Sequence, residues 1–352
     1  MAADPIQHRL DESQALGLFS LDLHELGRRA DAFRRRLHGN RAYYVVNRHI
    51  HYTNLCALKC KICTFGHAPG QAGVYERSVE QIAQDASAAA DGGASQIHLT
   101  GGLHPSWRIE RYEQMLRAIR QAAPGLHIKA FTACEIQHIA ALSTLTIEAV
   151  LERLIEAGLG SLPGGGAEIL DDSIRRELFP GKISSQEWLD VHRMAHLRGL
   201  PTNATMLYGH GERSEHRIRH LMLLRQLQDE TGGFEAFVPL AFISPPDGRF
   251  PPGPWGVDDL RVIAASRLVL DNFPHIKAFW AMQSLAVSSV ALHFGADDIH
   301  AAIASYDIVA RPGQPSQALS QPQLVAAIRA AGFEPCRCDG TYSTPRAATA
   351  HK

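Results

Sequence analysis

Cys56, Cys60 and Cys63 lie on one short stretch, Thr53-Asn54-Leu55-Cys56-Ala57-Leu58-Lys59-Cys60-Lys61-Ile62-Cys63-Thr64-Phe65. A C-x3-C-x2-C triplet on a single loop can hold three irons of a cubane cluster, leaving the fourth iron open to a small molecule. An open iron can do chemistry. A zinc site would need a fourth ligand, which His51 or His67 could supply, but structural zinc loops favour paired C-x2-C units, so the spacing points to the cluster. Cys134, Cys336 and Cys338 supply too few ligands for a second one, and clustering of this kind argues against a disulfide framework.

Other chemistry-bearing residues sit at turns. Gly101 and Gly102 follow Leu99-Thr100, where the lack of side chains lets backbone approach a ligand closely. Glu168 follows Gly164-Gly165-Gly166-Ala167 and can reach a sugar hydroxyl. Arg175 and Arg176 come next, and one of them could clamp a carboxylate. Asn203, Tyr208 and His210 share the segment Asn203-Ala204-Thr205-Met206-Leu207-Tyr208-Gly209-His210 and are candidates to line a pocket. His216 and His220 stand four apart without the glutamate of an H-E-x-x-H zinc helix, which favours an ordinary solvated helix. Cys134 and Glu135 suit either a substrate contact or burial.

The elements that must position these residues alternate short strands with amphipathic helices, the signature of a parallel sheet. Strands are expected at Tyr43–His51, Ser95–Thr100, His127–Thr132, Gly160–Leu162, Thr202–Leu207, Glu235–Leu240 and His275–Trp280. Helices are expected at Val79–Asp91, Ile109–Ala122, Ile147–Ala157, Ser185–Arg198, Glu215–Asp229 and Val257–Asn272, several of them stopped by glycine. Six or more such units with right-handed crossovers give an α/β fold, a partial or complete (β/α) barrel of TIM type, with its site at the C-terminal strand ends. The expected layout is an N-terminal helical extension over 1–40, a barrel core over 41–285, completion of the barrel over 286–342 and a disordered tail over 343–352. Ser244–Trp255, with five prolines, reads as an ordered loop or lid.

Composition bounds the partners. The formal charge of -1 gives no basic surface for nucleic acid. With 45% hydrophobic and 20% charged residues the chain can bury a core. No apolar run is long enough for a membrane span and the first residues lack a secretory h-region, so the expectation is a cytoplasmic, soluble protein.

The cysteine triplet after the first strand of a (β/α) barrel resembles the radical S-adenosylmethionine (SAM) superfamily. That resemblance implies a 4Fe-4S cluster held by Cys56, Cys60 and Cys63, with SAM chelating the open iron and cleaved by an electron from the cluster. It places Gly101-Gly102 at the SAM amino group and Glu168 at the SAM ribose or an adjacent group, with Arg175 as a further contact. Within the superfamily, six segments together resemble the aminodeoxyfutalosine synthase family of the futalosine route to menaquinone. They are His49–Asn54, Gly101–Pro105, His127–Ala133, Gly164–Ile169, Asn203–His210 and Gln228–Phe234. The implied reaction consumes SAM as co-substrate and adds its 5'-deoxyadenosyl group to the small molecule 3-[(1-carboxyvinyl)oxy]benzoate. The implied partner is a one-electron donor such as flavodoxin or ferredoxin. Cyclic dehypoxanthinylfutalosine synthases and deazaflavin synthase subunits, which abstract hydrogen, share the cluster loop. The chain departs from the family at Asp297-Asp298-Ile299-His300-Ala301-Ala302, where Asn-Asp-Leu-Asp-Gly-Thr is usual, and at Cys338, where an arginine is usual. The departures imply that another cation holds a substrate carboxylate, with Arg175, Arg176 and Arg337 the candidates, or that the acceptor is a different one.

Overall fold

The computed structural model describes residues 9–245, 248–302, 319–342 and 346–347. Its strands are β1 (Arg41–His51), β2 (Gln96–Thr100), β3 (His127–Ala130), β4 (Thr202–Tyr208), β5 (Phe234–Ala241), β6 (His275–Ala278), β7 (Asp298–Ile299), β8 (Ala301–Ala302), β9 (Glu334–Cys338) and β10 (Arg346–Ala347). β1 is the hub, parallel to β2, β7, β8 and β9, and parallel ladders continue through β2–β3 on one side and β7–β6–β5–β4 on the other. Between β3 and β4 the ring is joined by the single bridges Lys129–Ser161 and Leu162–Thr202. The segment expected as a strand at Gly160–Leu162 therefore contributes one bridge to each neighbour and no ladder.

Strand side chains alternate with period two, and here each face has a distinct character. Val46, Ile50, Ile97, Leu99, Ile128, Ala204, Met206 and Ile276 join the main buried core. Asn47, His49, Gln96, His98, Lys129, Asn203, Thr205 and Lys277 line the lumen instead. A barrel packed only for stability fills its interior with branched apolar side chains; this lumen instead keeps a cavity with polar strand residues on its wall.

The helices at Val79–Asp91, Ile109–Ala122 and Ile147–Ala157 match expectation residue for residue: Ser78 and Thr146 cap the first and third, Ser143 Oγ accepts from Ile109 N–H at the start of the second, and small residues end all three. Ser185–Leu197, Ser214–Thr231 and Gly256–Val269 differ only at their ends. Two strands end early for local reasons. Phe131 has φ +60, which stops β3 before Thr132 caps the helix Ala133–Ser143, and β6 stops at Ala278 before the short helix Trp280–Gln283. Arg346–Ala347 pairs antiparallel with β9, where the sequence promised no structure; the rest of the expected disordered tail lies outside the described residues.

The interior carries an acid-sensitive load. Burial lowers the imidazoles of His38 and His196 to about 4, and those of His98, His127 and His220 to about 3. In the unfolded chain these groups titrate near pH 6.5. Above that value neither state binds the protons; below it the unfolded chain takes protons the folded one refuses. Stability therefore falls by about 1.4 kcal/mol per pH unit for each such histidine, down to its folded value. Asp297, held low by His275 and Arg267 against the cost of its burial, loses its contribution only under more acidic conditions. The urea midpoint is expected to drop steeply between pH 7 and pH 5.5. A midpoint flat across that range would show that these rings are not held neutral.

Candidate active site

The cluster loop is built by β1 and closed by its own backbone. Cys56 N–H donates to His67 C=O (2.9 Å), and His67 N–H returns a bond to Asn54 C=O (2.8 Å). The Asn54 side chain accepts from Tyr75 N–H (2.8 Å) and donates to Gly73 C=O (2.9 Å). Ala57 N–H is tied to Leu103 C=O (2.8 Å) and Lys61 N–H to Leu178 C=O (2.9 Å), so the loop is pinned to two further parts of the rim. Backbone N–H groups of Leu103 and Gly66 point at the sulfurs of Cys56 (3.4 Å) and Cys63 (3.3 Å).

The donor set fits a cluster better than a single ion. Around one tetrahedral zinc, sulfurs 2.3 Å from the metal stand roughly 3.8 Å apart. Among the described residues, the group of three His, Cys or acidic side chains whose ligand atoms all lie within 4.8 Å of one another is His38, His275 and Asp297. The three cysteine sulfurs do not form such a close group, and three thiolates on one loop match three corners of a cubane. His51 and His67, the expected alternatives for a fourth ligand, bond the carbonyls of Thr100 (3.3 Å) and Phe65 (2.9 Å) through Nδ1 and are not among the residues lining the cavity that the cysteines face. The His38 group is a structural knot: Arg267 and Ile276 N–H bind Asp297, and His38 Nε2 bonds Pro274 C=O (2.9 Å).

A cavity of about 980 Å³ opens from this loop into the barrel. Cys56, Cys60, Cys63, Gly101, Gly102, Glu168 and Asn203 all line it. Gly102 packs so closely on the cluster loop that a Cβ there would stand 2.2 Å from Leu55 O. Glu135 holds the adjoining turn, accepting bonds from Gly101 N–H (3.2 Å), Thr132 N–H (2.7 Å) and the Tyr52 hydroxyl (2.5 Å). Glu168 has φ +46 and is paired with Lys182, whose ammonium outweighs burial and keeps the carboxyl ionised. Such strain in a non-glycine residue is typical of ligand sites.

Three expected contacts stand elsewhere. Arg175 is buried behind the glycine-rich turn and spends its guanidinium on the carbonyls of Gly166, Ala167, Ile169 and Ile183, bracing the turn that carries Glu168. Tyr208 points out of the lumen to Asp259 (2.5 Å) and receives a bond from Gln283 (2.9 Å). His210 sits 3.4 Å from Glu212 and edge-on to Phe179 and Phe242, behind the wall those rings form. The cations expected to replace the missing arginine are also outside: Arg176 is exposed and Arg337 bonds Gly93 C=O (2.6 Å) at the surface. Cys338 is buried against Tyr43, Val45 and Cys336.

The sequence profile of the radical SAM superfamily matches residues 50–224, and that of the CofH/MqnC C-terminal region matches residues 254–350. The aminodeoxyfutalosine synthase of Thermus thermophilus is 40% identical over 96% of this chain and 93% of its own length. The chain belongs to the radical SAM superfamily. Radical SAM enzymes use a 4Fe-4S cluster and SAM, and Cys56, Cys60 and Cys63 fit that role. Another relative in the superfamily is the 5-amino-6-(D-ribitylamino)uracil--L-tyrosine 4-hydroxyphenyl transferase of Archaeoglobus fulgidus, 39% identical over 91% of this chain and 93% of its own. The radical SAM fold is matched by the crystal structure of methylornithine synthase, with a TM-score of 0.74 and 19% identity over 94% of this chain and 95% of that one.

Sequence reasoning missed Lys129, Lys182, Lys277, His98 and His300 as cavity residues. Polar residues at alternate places within otherwise apolar strands were the available signal for those on strands. Thr132-x-x-Glu135, a capping box, was the signal for Glu135.

Proposed function

We propose that this enzyme adds the 5'-deoxyadenosyl group of SAM to the enolpyruvyl double bond of 3-[(1-carboxyvinyl)oxy]benzoate. Aryl migration and decarboxylation follow, and the electron spent on cleaving SAM is given back as the carboxyl group leaves as CO2, so that 6-amino-6-deoxyfutalosine for menaquinone biosynthesis is closed-shell. The observation carrying this reading is near full-length kinship to aminodeoxyfutalosine synthase, together with one cavity that contains the cysteine triad and has room for a second molecule. When bound, the cluster and SAM supply the 5'-deoxyadenosyl radical. The protein positions and excludes. Gly101 and Gly102 let their turn pack directly on Tyr52 and on the Leu55 backbone, which sets backbone rather than side chain at the methionine end, while Glu168 offers a carboxylate to the ribose and Asn203 faces the acceptor. The buried wall residues Phe179, Phe242 and Phe279 keep water from the reacting centre. The proline-rich stretch adds Ser244, Pro245 and Pro252 through Trp255 to that wall.

No described helix is long and apolar enough to cross a membrane, and the proposed setting is the cytoplasm, with flavodoxin or ferredoxin as electron source. Anaerobically reconstituted enzyme given SAM, reductant and the enol ether is expected to yield an acceptor carrying the adenosyl group, read by mass. Free 5'-deoxyadenosine matching SAM consumption, with no adenosylated acceptor, would overturn the reading in favour of hydrogen abstraction.

A further inference from the structure

Beyond the cluster and the glycine turn, the cavity has a floor of unusual chemistry. His49 pairs in register with His98, and His98 with Lys129, across β1, β2 and β3. From the other side Lys277 of β6 and His300 join the same lining, and His49 Nε2 lies 3.1 Å from His300 Nε2. His98 and Lys129 stand two strand residues below Thr100 and Phe131, hence roughly 7 Å further into the barrel than the glycine turn.

Each lysine is anchored from behind. Lys129 Nζ lies 3.5 Å from Glu235, and Lys277 Nζ lies 3.2 Å from Asp298, which also accepts the Tyr342 hydroxyl. Neither Glu235 nor Asp298 lines the cavity, whereas both lysines do. An ammonium has three donors, so a carboxylate at its back leaves donors facing the lumen. Nearby, His98 Nε2 is buried with no hydrogen-bond partner among the described residues, whereas the equally unpartnered Asn47 Oδ1 and Asn203 Oδ1 are acceptors that serve a donor or a water rather than a carboxylate. Buried polar groups are rarely left unmade without a ligand or water to serve them. The carboxylates that do line the cavity are already engaged, Glu135 by Tyr52, Thr132 and Gly101, and Glu168 by Lys182.

We infer that Lys129 and Lys277, with His98 beside them, form the subsite that holds the aryl carboxylate of the acceptor. This rests on the proposed function and assigns the anchor that Arg175, Arg176 and Arg337 do not provide. Two physical arguments select that carboxylate. The enolpyruvyl carboxylate must leave as CO2, and an ion pair to it would stabilise the starting state against that loss. The aryl carboxylate keeps its charge throughout, so holding it costs nothing at the transition state and aims the double bond up toward the rim.

The test compares the reconstituted enzyme with Lys277→Met, in which Asp298 keeps its bond from the Tyr342 hydroxyl, with Lys277→Arg, which keeps a cation there, and with the paired variant Lys129→Met/Glu235→Gln, which removes both charges so that Glu235 is not left alone. Each is assayed with the dicarboxylate and with its benzamide counterpart, which lacks only the aryl charge. Wild-type enzyme is expected to show a KM for the acid about ten- to a hundredfold below that for the amide. Lys277→Met and the paired variant are expected to collapse that ratio toward one, and Lys277→Arg to keep most of it. Equal KM values for acid and amide in the wild type, or an unchanged ratio in the variants, would overturn the subsite. A merely structural role would weaken both substrates alike and leave the ratio intact. Equilibrium titration of the cluster-loaded, SAM-bound enzyme with benzoate gives an arm that needs no turnover: wild type should bind it and Lys277→Met should bind it about tenfold more weakly. If wild type makes no adenosylated product but benzoate binding still depends on Lys277, the reaction assignment falls and the carboxylate subsite stands. If benzoate binding is indifferent to Lys277, the subsite falls whatever the reaction.

Discussion

Cys60→Ala is expected to fold as the wild type does, to lose its brown colour on reconstitution, and to cleave SAM at least about 100-fold more slowly than the parent enzyme. Loss of an outer partner of a metal ligand commonly costs 10- to 100-fold, so loss of a ligand should cost more. Folding should survive because Cys60 is only half-buried and belongs to no apolar cluster. The loop that carries it is held by backbone bonds to His67, Leu103 and Leu178, not by the thiol. Burial also pushes the Cys60 thiol up to about 11, so as a free thiol it stays protonated, and metal binding must displace that proton. Iron and sulfide content per chain, thermal melting of the apo form, and anaerobic SAM cleavage under dithionite together check the expectation. A variant that still cleaves SAM at the parental rate would remove these cysteines from the chemistry altogether.

The cluster loop was legible in the sequence because its spacing is local and chemically restrictive: three thiols in eight positions leave few alternatives. The strands that carry the site were legible for a similar reason, since period-two alternation and glycine stops are local signals. Arg175 was read wrongly because the sequence does not say which way a helical arginine points; in the fold it braces carbonyls of the turn preceding its own helix. Tyr208 and His210 failed by parity and position. Asn203, Thr205 and Leu207 face the lumen, so Tyr208, one residue on, must face out. His210 lies past the strand end, where that alternation no longer applies. Lys129 and Lys277 were invisible as a pair because their meeting depends on closing a barrel across about 150 residues of chain, which no local pattern encodes. The anchors Glu235 and Asp298 that make them usable come from two further strands.

Gly102→Ala is expected to disable the enzyme although it adds one methyl group. The new Cβ would fall 2.2 Å from Leu55 O and 2.7 Å from Leu55 C, both closer than atoms can rest, and a tight 3.1 Å from Cys56 Cβ. The obstruction is backbone, so no rotamer change relieves it. Either the glycine turn or the start of the cluster loop must move, and both are committed: Gly102 N–H donates to Thr53 C=O (2.9 Å) and Leu103 C=O accepts Ala57 N–H (2.8 Å). A shift of even about 1 Å between a bound reagent and its partner can cost roughly 100-fold in rate. SAM binding and turnover should therefore both fall by about that factor or more, with reduced iron occupancy if the loop is what gives way. Gly125→Ala is the matched control, because a Cβ there meets nothing within 4 Å, and it should behave as wild type. Titration of SAM against both reconstituted variants separates the outcomes: a Gly102→Ala protein that binds SAM as tightly as Gly125→Ala would mean that the methionine end of SAM lies away from this turn, and the pocket would have to be redrawn around Glu168 and Lys182 alone.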